Sequence, residues 1–160
     1  MGNHDLALPL YTEVLAKRRR LEGDEDPATL IVISNLASVH HVMGTHGLAL
    51  PLYEEALAGC RRVLGNANPR TLETIHNLAA LRAVRDKMGE HAAAATLMRE
   101  ALVGRRRVLG EDHPHTQATI AAMNRIEKKL LSEEVGAAEE EEEEEEETMY
   151  QRLAKRHRRA

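Results

Sequence analysis

Phenylalanine and tryptophan are absent from the 160 residues, tyrosine occurs three times and cysteine once. An ordinary core takes much of its buried area from aromatic rings. This one has to be assembled from Leu, Ala, Val, Ile and Met, which suits close helix packing better than a sheet. Cys60 alone permits no intramolecular disulfide and excludes a zinc site with several thiolates. No apolar run approaches the roughly 18–20 residues of a membrane span. His4 and Asp5 stand where a signal peptide would have a basic and then an apolar stretch. Leu6 stands where a myristoylation motif beginning at Gly2 wants Ser or Thr. The compartment expected by default is cytoplasmic.

A large excess of one charge sign is also missing from most of the chain. The formal net charge is −4, but residues 133–160 hold 11 Glu against 5 Lys+Arg. Residues 1–132 hold 17 basic and 15 acidic groups. A nearly neutral folded part argues against a general nucleic-acid binder, which needs a strongly basic face.

What the sequence does have is repetition. MGNHDLALPLYTEVLAKRRR recurs 42 residues later as MGTHGLALPLYEEALAGCRR, and residues 1–42 match 43–84 at 23 of 42 positions. Chance would give about 2 or 3 matches at ordinary amino-acid frequencies. A third, diverged copy begins at Met88-Gly89, offset by 45 because Arg85, Asp86 and Lys87 are inserted before it. Self-similarity at such a period marks a stacked array.

Each period reads as two helices. Leu48, Leu52, Ala56 and Leu57 keep the three-or-four spacing of one helical face, as do Leu6, Leu10, Val14 and Leu15, and Ala93, Leu97, Ala101 and Leu102. Each long stretch ends in arginines, which face the negative end of the helix dipole. Gly23, Gly65 or Gly110 follows, a residue suited to the left-handed position after a helix. Asp26-Pro27, Asn68-Pro69 and His113-Pro114 then supply a cap and a first helical residue, His113 being the poorest cap. The short helices run from Pro27 to Val42, from Pro69 to about Lys87 and from Pro114 to about Ser132. Pro9 and Pro51 lie one turn inside their long stretches, which predicts a local kink or a later helix start. The final residues run through Glu139 to Glu147 to a basic end, Lys155 to Arg159. Like charges repel and bury no core, so this tail is expected to be disordered or a solvated helix.

Helix pairs of this kind resemble tetratricopeptide repeats. Ile33, Leu36, Ala37, Gly44, Ala49, Tyr53 and Ala56 fall where that family has W, L, G, G, A, F and A. Ile75, Leu78, Ala79, Gly89, Ala94, Met98 and Ala101 follow in the next unit. The 42-residue period, with LPLYEEAL, RRVLG and IHNLA, is similar to the kinesin light chain type. The resemblance implies an all-α helix-turn-helix solenoid of about six antiparallel helices over residues 1–132. In that framing residues 1–26 form a half unit, 27–68 and 69–113 full units, 114–132 a further half unit, and 133–160 the charged tail.

It also implies that the first helix of each pair lines a concave groove. The groove residues are then Ser34, Asn35, Ser38 and His41 on one rung, His76, Asn77 and Ala80 on the next, and Arg125 on the last. An Asn at the position shared by Asn35 and Asn77 commonly grips a bound peptide backbone in this family, and an amide offers both a donor and an acceptor for that purpose. Arg19, Arg20, Arg61, Arg62, Arg106 and Arg107 are spaced as a basic stripe. It would read acidic partners or the chain's own poly-Glu segment, or simply compensate the helix dipoles.

Other chemistries find little support. His40-His41 and His113-Pro114-His115 lack the i, i+4 spacing of helical metal ligands, so no metal and no cofactor is expected. Cys60 lies among cations that would lower its pKa, yet no His partner marks it as a nucleophile. There is no Gly-rich phosphate loop and no nucleophile–base pair, so the chain reads as a non-enzyme. The expected function is a protein–protein interaction scaffold or adaptor that binds a partner peptide, with kinesin light chain-like cargo recruitment as the narrower form. The alternative is a structural module, or a piece of a longer array, that self-associates through a Leu6, Leu10, Leu15 face.

Overall fold

The structure, a computed structural model, describes residues 4–85 and 89–157. Asp86, Lys87 and Met88, on which the insertion, the expected end of the second short helix and the start of the third copy fall, lie outside the described residues. Arg158 and Arg159 of the basic end do so as well. The described helices are α1 (His4–Glu22), α2 (Pro27–Val42), α3 (His46–Leu64), α4 (Pro69–Val84), α5 (Glu90–Leu109) and α6 (Pro114–His157). They form two compact units, residues 1–126 and 127–160.

Local chemistry sets the helix ends. Asp26 accepts hydrogen bonds from the N–H groups of Ala28 (2.9 Å) and Thr29 (3.1 Å), and Asn68 from that of Arg70 (2.9 Å). These satisfy amides that have no partner within the helix. His113, the poorest cap by residue type, still serves: the His115 N–H donates to its Nδ1 at 3.2 Å, and the two rings stack 5.3 Å apart. Gly65 and Gly110 end α3 and α5 with φ of 82° and 90°, but their ψ values are 164° and 167°. This is the mirror-extended region, open essentially to glycine alone, rather than the left-handed helical one expected from the sequence. The later start considered for the proline-bearing helices does not occur. Pro9 and Pro51 sit inside α1 and α3, and each deprives the carbonyl four residues upstream of its amide donor.

In the first unit each of α1 to α4 packs on the helix that follows it, and α2 also touches α4. One layer gathers Leu15, Leu30, Ile33, Leu36, Ala56 and Cys60. The next gathers Ala37, Tyr53, Leu57, Leu72, Ile75 and Leu81 with Ala49, Leu78 and Ala101. Ile33, Ala37, Ala49, Ala56, Ile75, Ala79, Ala94, Met98 and Ala101 are all fully enclosed. Leu15 is buried, so it does not share the outer stripe of α1 with Leu6 (71% exposed) and Leu10 (62%). Val14 and Leu21 complete that stripe instead.

The tightest approach repeats. A Cβ on Gly59 would overlap Leu30 Cδ2 and come within 3.0 Å of its Cδ1. A Cβ on Gly104 would meet Leu72 in the same way. The two contacts occupy equivalent places in successive helix pairs. In α1 the corresponding position is Lys17, which is exposed.

The second unit is the helical run from Glu127 onward. Glu139 to Glu146 are exposed along it, so of the two states expected for the tail the solvated helix is the one found.

Gly59→Ala is expected to lower folding stability by about 1–3 kcal/mol, because the core around Leu30 has to yield to the added methyl. Gly47→Ala, on an open helix surface with nothing within 4 Å, is expected to be neutral or stabilising by about 0.4–1 kcal/mol. Urea denaturation midpoints of the two variants check this, and equal midpoints would show that the Leu30 contact is not tight.

Candidate functional site

Because α2 and α4 begin at equivalent Asp-Pro and Asn-Pro steps, their residues fall in register 42 apart. A concavity of about 40 Å³ opens between them. Ser34, Asn35 and Ser38 line it from α2, and Glu73, Thr74 and Asn77 from α4. Leu30 and Cys60 add to its lining. Small-molecule pockets run to about 300–1,000 Å³, so this notch is far smaller than one.

The sequence-derived groove residues separate into three groups. Ser34, Asn35, Ser38 and Asn77 are brought together at the notch. Ser38 is held in place there: its hydroxyl donates to the Ser34 carbonyl at 3.1 Å and lies 2.8 Å from the Tyr53 hydroxyl. Burial raises the Tyr53 pKa, so the phenol stays protonated as a donor. His76 and Arg125 belong to the next crossing. His76 Nδ1 is 3.4 Å from the Thr119 hydroxyl, and the Arg125 Nε donates to its own helix at the Ala121 carbonyl, 3.2 Å away. His41 and Ala80 do not line the notch. His41 meets His46 edge-on, with ring centroids 5.5 Å apart, and burial with the His46 charge lowers its pKa.

The arginines of the stripe find glutamates. Arg19 on α1 pairs with Glu55 on α3, and Arg61 on α3 pairs with Glu100 on α5 at 2.7 Å. The two bridges are copies of one another in the repeat. Arg19 also meets Asp24 at 3.1 Å, Arg62 meets Glu25 at 2.7 Å, and Arg106 meets Glu111 at 2.8 Å. Arg20 and Arg107 are exposed. The partners Glu55 and Glu100 repeat in the sequence as the arginines do, and that repetition is the signal for the bridges. Glu73 and Thr74 line the notch without any repeat signal of their own in α2, where Ile31 and Val32 stand.

Cys60 departs from expectation. Burial raises its pKa rather than lowering it, and the Thr74 hydroxyl offsets this only in part. Among the described residues no three His, Cys, Asp or Glu side chains gather as a metal site. No described helix is long and apolar enough to cross a membrane.

Tetratricopeptide-repeat family models match residues 31–87 and 86–115, together just over half of the chain. The chain belongs to the tetratricopeptide-repeat family. Among solved structures it is similar to BtubC (BKLC) from P. vanneervenii, with 22% identity and a TM-score of 0.71 over 79% of this chain and 50% of that one. It is also similar to a Podosopora anserina protein named for kinesin light chain and nearly identical TPR-like repeats. That likeness has 23% identity and a TM-score of 0.63 over 79% of this chain and 59% of the other. A single-substitution variant of the latter gives 23% identity and a TM-score of 0.65 over 79% and 58%. The chain therefore spans between 50% and 59% of the length of these relatives. At such identities the likeness establishes the fold alone, a solenoid of helix pairs. No curated protein matches the sequence.

His76 carries the largest resolved departure among the site residues. Burial pushes its pKa down to about 4, aided by the charges of Arg105, His115 and Arg125. An unfolded histidine titrates near 6.5. Between these values the unfolded chain holds a proton that the folded chain refuses, so stability is lost as pH falls from about 6.5 to about 4. His76→Gln is expected to flatten that decline in thermal melts taken across the window. An unchanged slope would place the acid sensitivity elsewhere.

Proposed function

We propose that the array is a protein–protein interaction scaffold that holds a peptide segment of its partner along α2 and α4. Asn35 and Asn77 carry the reading. They are equivalent in two copies, they reach one concavity, and each amide offers a donor and an acceptor to an extended backbone. Partner side chains would supply the remaining affinity by settling between the helices. Kinesin light chain-like recruitment of a cargo is the narrower form, supported by likeness of fold to proteins so named. Membership of a repeat family that serves as interaction scaffolds fits a non-catalytic role.

A second reading, self-association, draws on one specific observation. Leu6, Leu10, Val14 and Leu21 form an exposed apolar stripe along α1.

The test is capture from cell lysate with the full chain and with an Asn35→Ala, Asn77→Ala variant of equal helicity by circular dichroism. Each amide lost is worth about 0.5–1.5 kcal/mol, so partners of the wild type are expected to bind the variant roughly tenfold more weakly or not at all. Partners retained equally by both would sink the groove reading. Sedimentation showing a concentration-dependent oligomer, abolished by Leu10→Lys, would favour self-association.

A further inference from the structure

The long helices α1, α3 and α5 carry Arg18, Cys60 and Arg105 at one equivalent repeat position; Arg18 pairs with Glu22 on its own helix. On α5 this arginine is 5% exposed. Its Nη1 donates to the His115 carbonyl at 3.0 Å and to the Thr119 hydroxyl at 2.6 Å. The Thr119 hydroxyl in turn donates to the His115 carbonyl at 2.8 Å.

The same pair of acceptors exists one rung earlier, 45 residues back, as the Arg70 carbonyl and the Thr74 hydroxyl. Thr74 donates to Arg70 at 2.9 Å, repeating the geometry. Here, however, the long helix supplies Cys60, too short to bring a cation to them. Cys60, Arg70 and Thr74 all line the notch of about 40 Å³. By this measure about 10–15 Å³ suffices for one water, so the notch has room for an ammonium or the end of a guanidinium. Glu73 lies at the notch; burial lowers the Arg105 pKa, and the Glu73 charge offsets part of that. Arg70, which also lines the notch, pairs with Glu73 at 3.1 Å, so the notch carries little net charge. Its selectivity comes from the fixed acceptors rather than from a long-range field.

We propose that this notch receives the cationic tip of a lysine or arginine from the bound peptide, held by the Arg70 carbonyl, the Thr74 hydroxyl and the Glu73 carboxylate. The peptide supplies in trans the group that Arg105 supplies in cis on the following rung. The identity of the ligand as a peptide rests on the groove reading above, whereas the cation preference of the notch is testable without it.

The test is an NMR titration of the full chain with methylammonium and methylguanidinium, with urea as an uncharged control. Saturable shifts are expected at Asn35, Thr74 and Asn77 with either cation, at least threefold tighter than with urea. The stronger of the two cations distinguishes lysine from arginine. Cys60→Arg installs the array's own guanidinium and is expected to abolish the response while the chain stays folded, whereas Cys60→Ser is expected to retain it. If Cys60→Arg does not fold, Thr74→Val carries the test, with at least fivefold weaker cation binding expected. Equal responses to cations and urea, or an unchanged response in whichever of Cys60→Arg and Thr74→Val carries the test, would overturn the proposal.

A displayed random-peptide library then separates the two readings. Selected peptides that depend on Asn35 and Asn77 and share a basic residue at one position support both. Such peptides without the basic residue overturn the notch and leave the groove. Failure to select any peptide dependent on the two asparagines overturns the groove, and with it the peptide as ligand.

Discussion

Everything in the repeat unit depends on how closely two helices can approach where no aromatic layer spaces them apart. Leucine set against glycine, Leu30 on Gly59 and Leu72 on Gly104, fixes that approach twice over, and fully buried alanines extend it along each crossing. Dispersion contacts at such distances are small singly and large in sum. The close fit also fixes register, because a slip along either helix would drive the leucine into a side chain with a Cβ. Register is what aligns Asn35 with Asn77, and Arg19–Glu55 with Arg61–Glu100. The surface thus takes its order from a contact it does not share.

The two crossings of the short helices differ in character. Between α2 and α4 the lining groups are amides and hydroxyls with the Arg70–Glu73 ion pair, and the position beneath is a neutral thiol. Between α4 and α6 the corresponding place is filled by a buried arginine, which leans on α6 carbonyl and hydroxyl oxygens and adds its charge to the burial that lowers the His76 pKa. One crossing is closed by its own side chain and the other is open. The two crossings differ at this interior position, Cys60 against Arg105, and at lining positions as well, Glu73 against Ala118 and Asn77 against Ala122.

Much of this was legible in the sequence, for reasons that can be named. Asp26-Pro27 and Asn68-Pro69 mark helix starts because they solve a hydrogen-bonding problem local to a few residues. The small and large positions of the family pattern read directly onto burial, from Ile33 to Ala101. Groups whose partners lie a full repeat away were harder. Arg61 reads as dipole compensation until Glu100 stands opposite it. Leu15 reads as part of an outer stripe until α2 covers it. Cys60 reads as a thiol among cations because its neighbours in sequence are arginines, whereas its neighbours in space are Leu30 and Thr74. The turn conformation of Gly65 and Gly110 depends on ψ, which glycine leaves open.

The bridges from α1 to α3 and from α3 to α5 have a mechanical consequence. They tie the long helices to one another directly, spanning the short helices between them. Any flexing of the solenoid that changes the spacing of successive long helices must stretch or compress these charge pairs. Surface pairs of this kind contribute little to stability, but their attraction is weakened by electrolyte within a Debye length of about 8–10 Å. The array is in this respect a spring whose stiffness is set partly by the salt around it, softer in concentrated electrolyte and firmer in dilute.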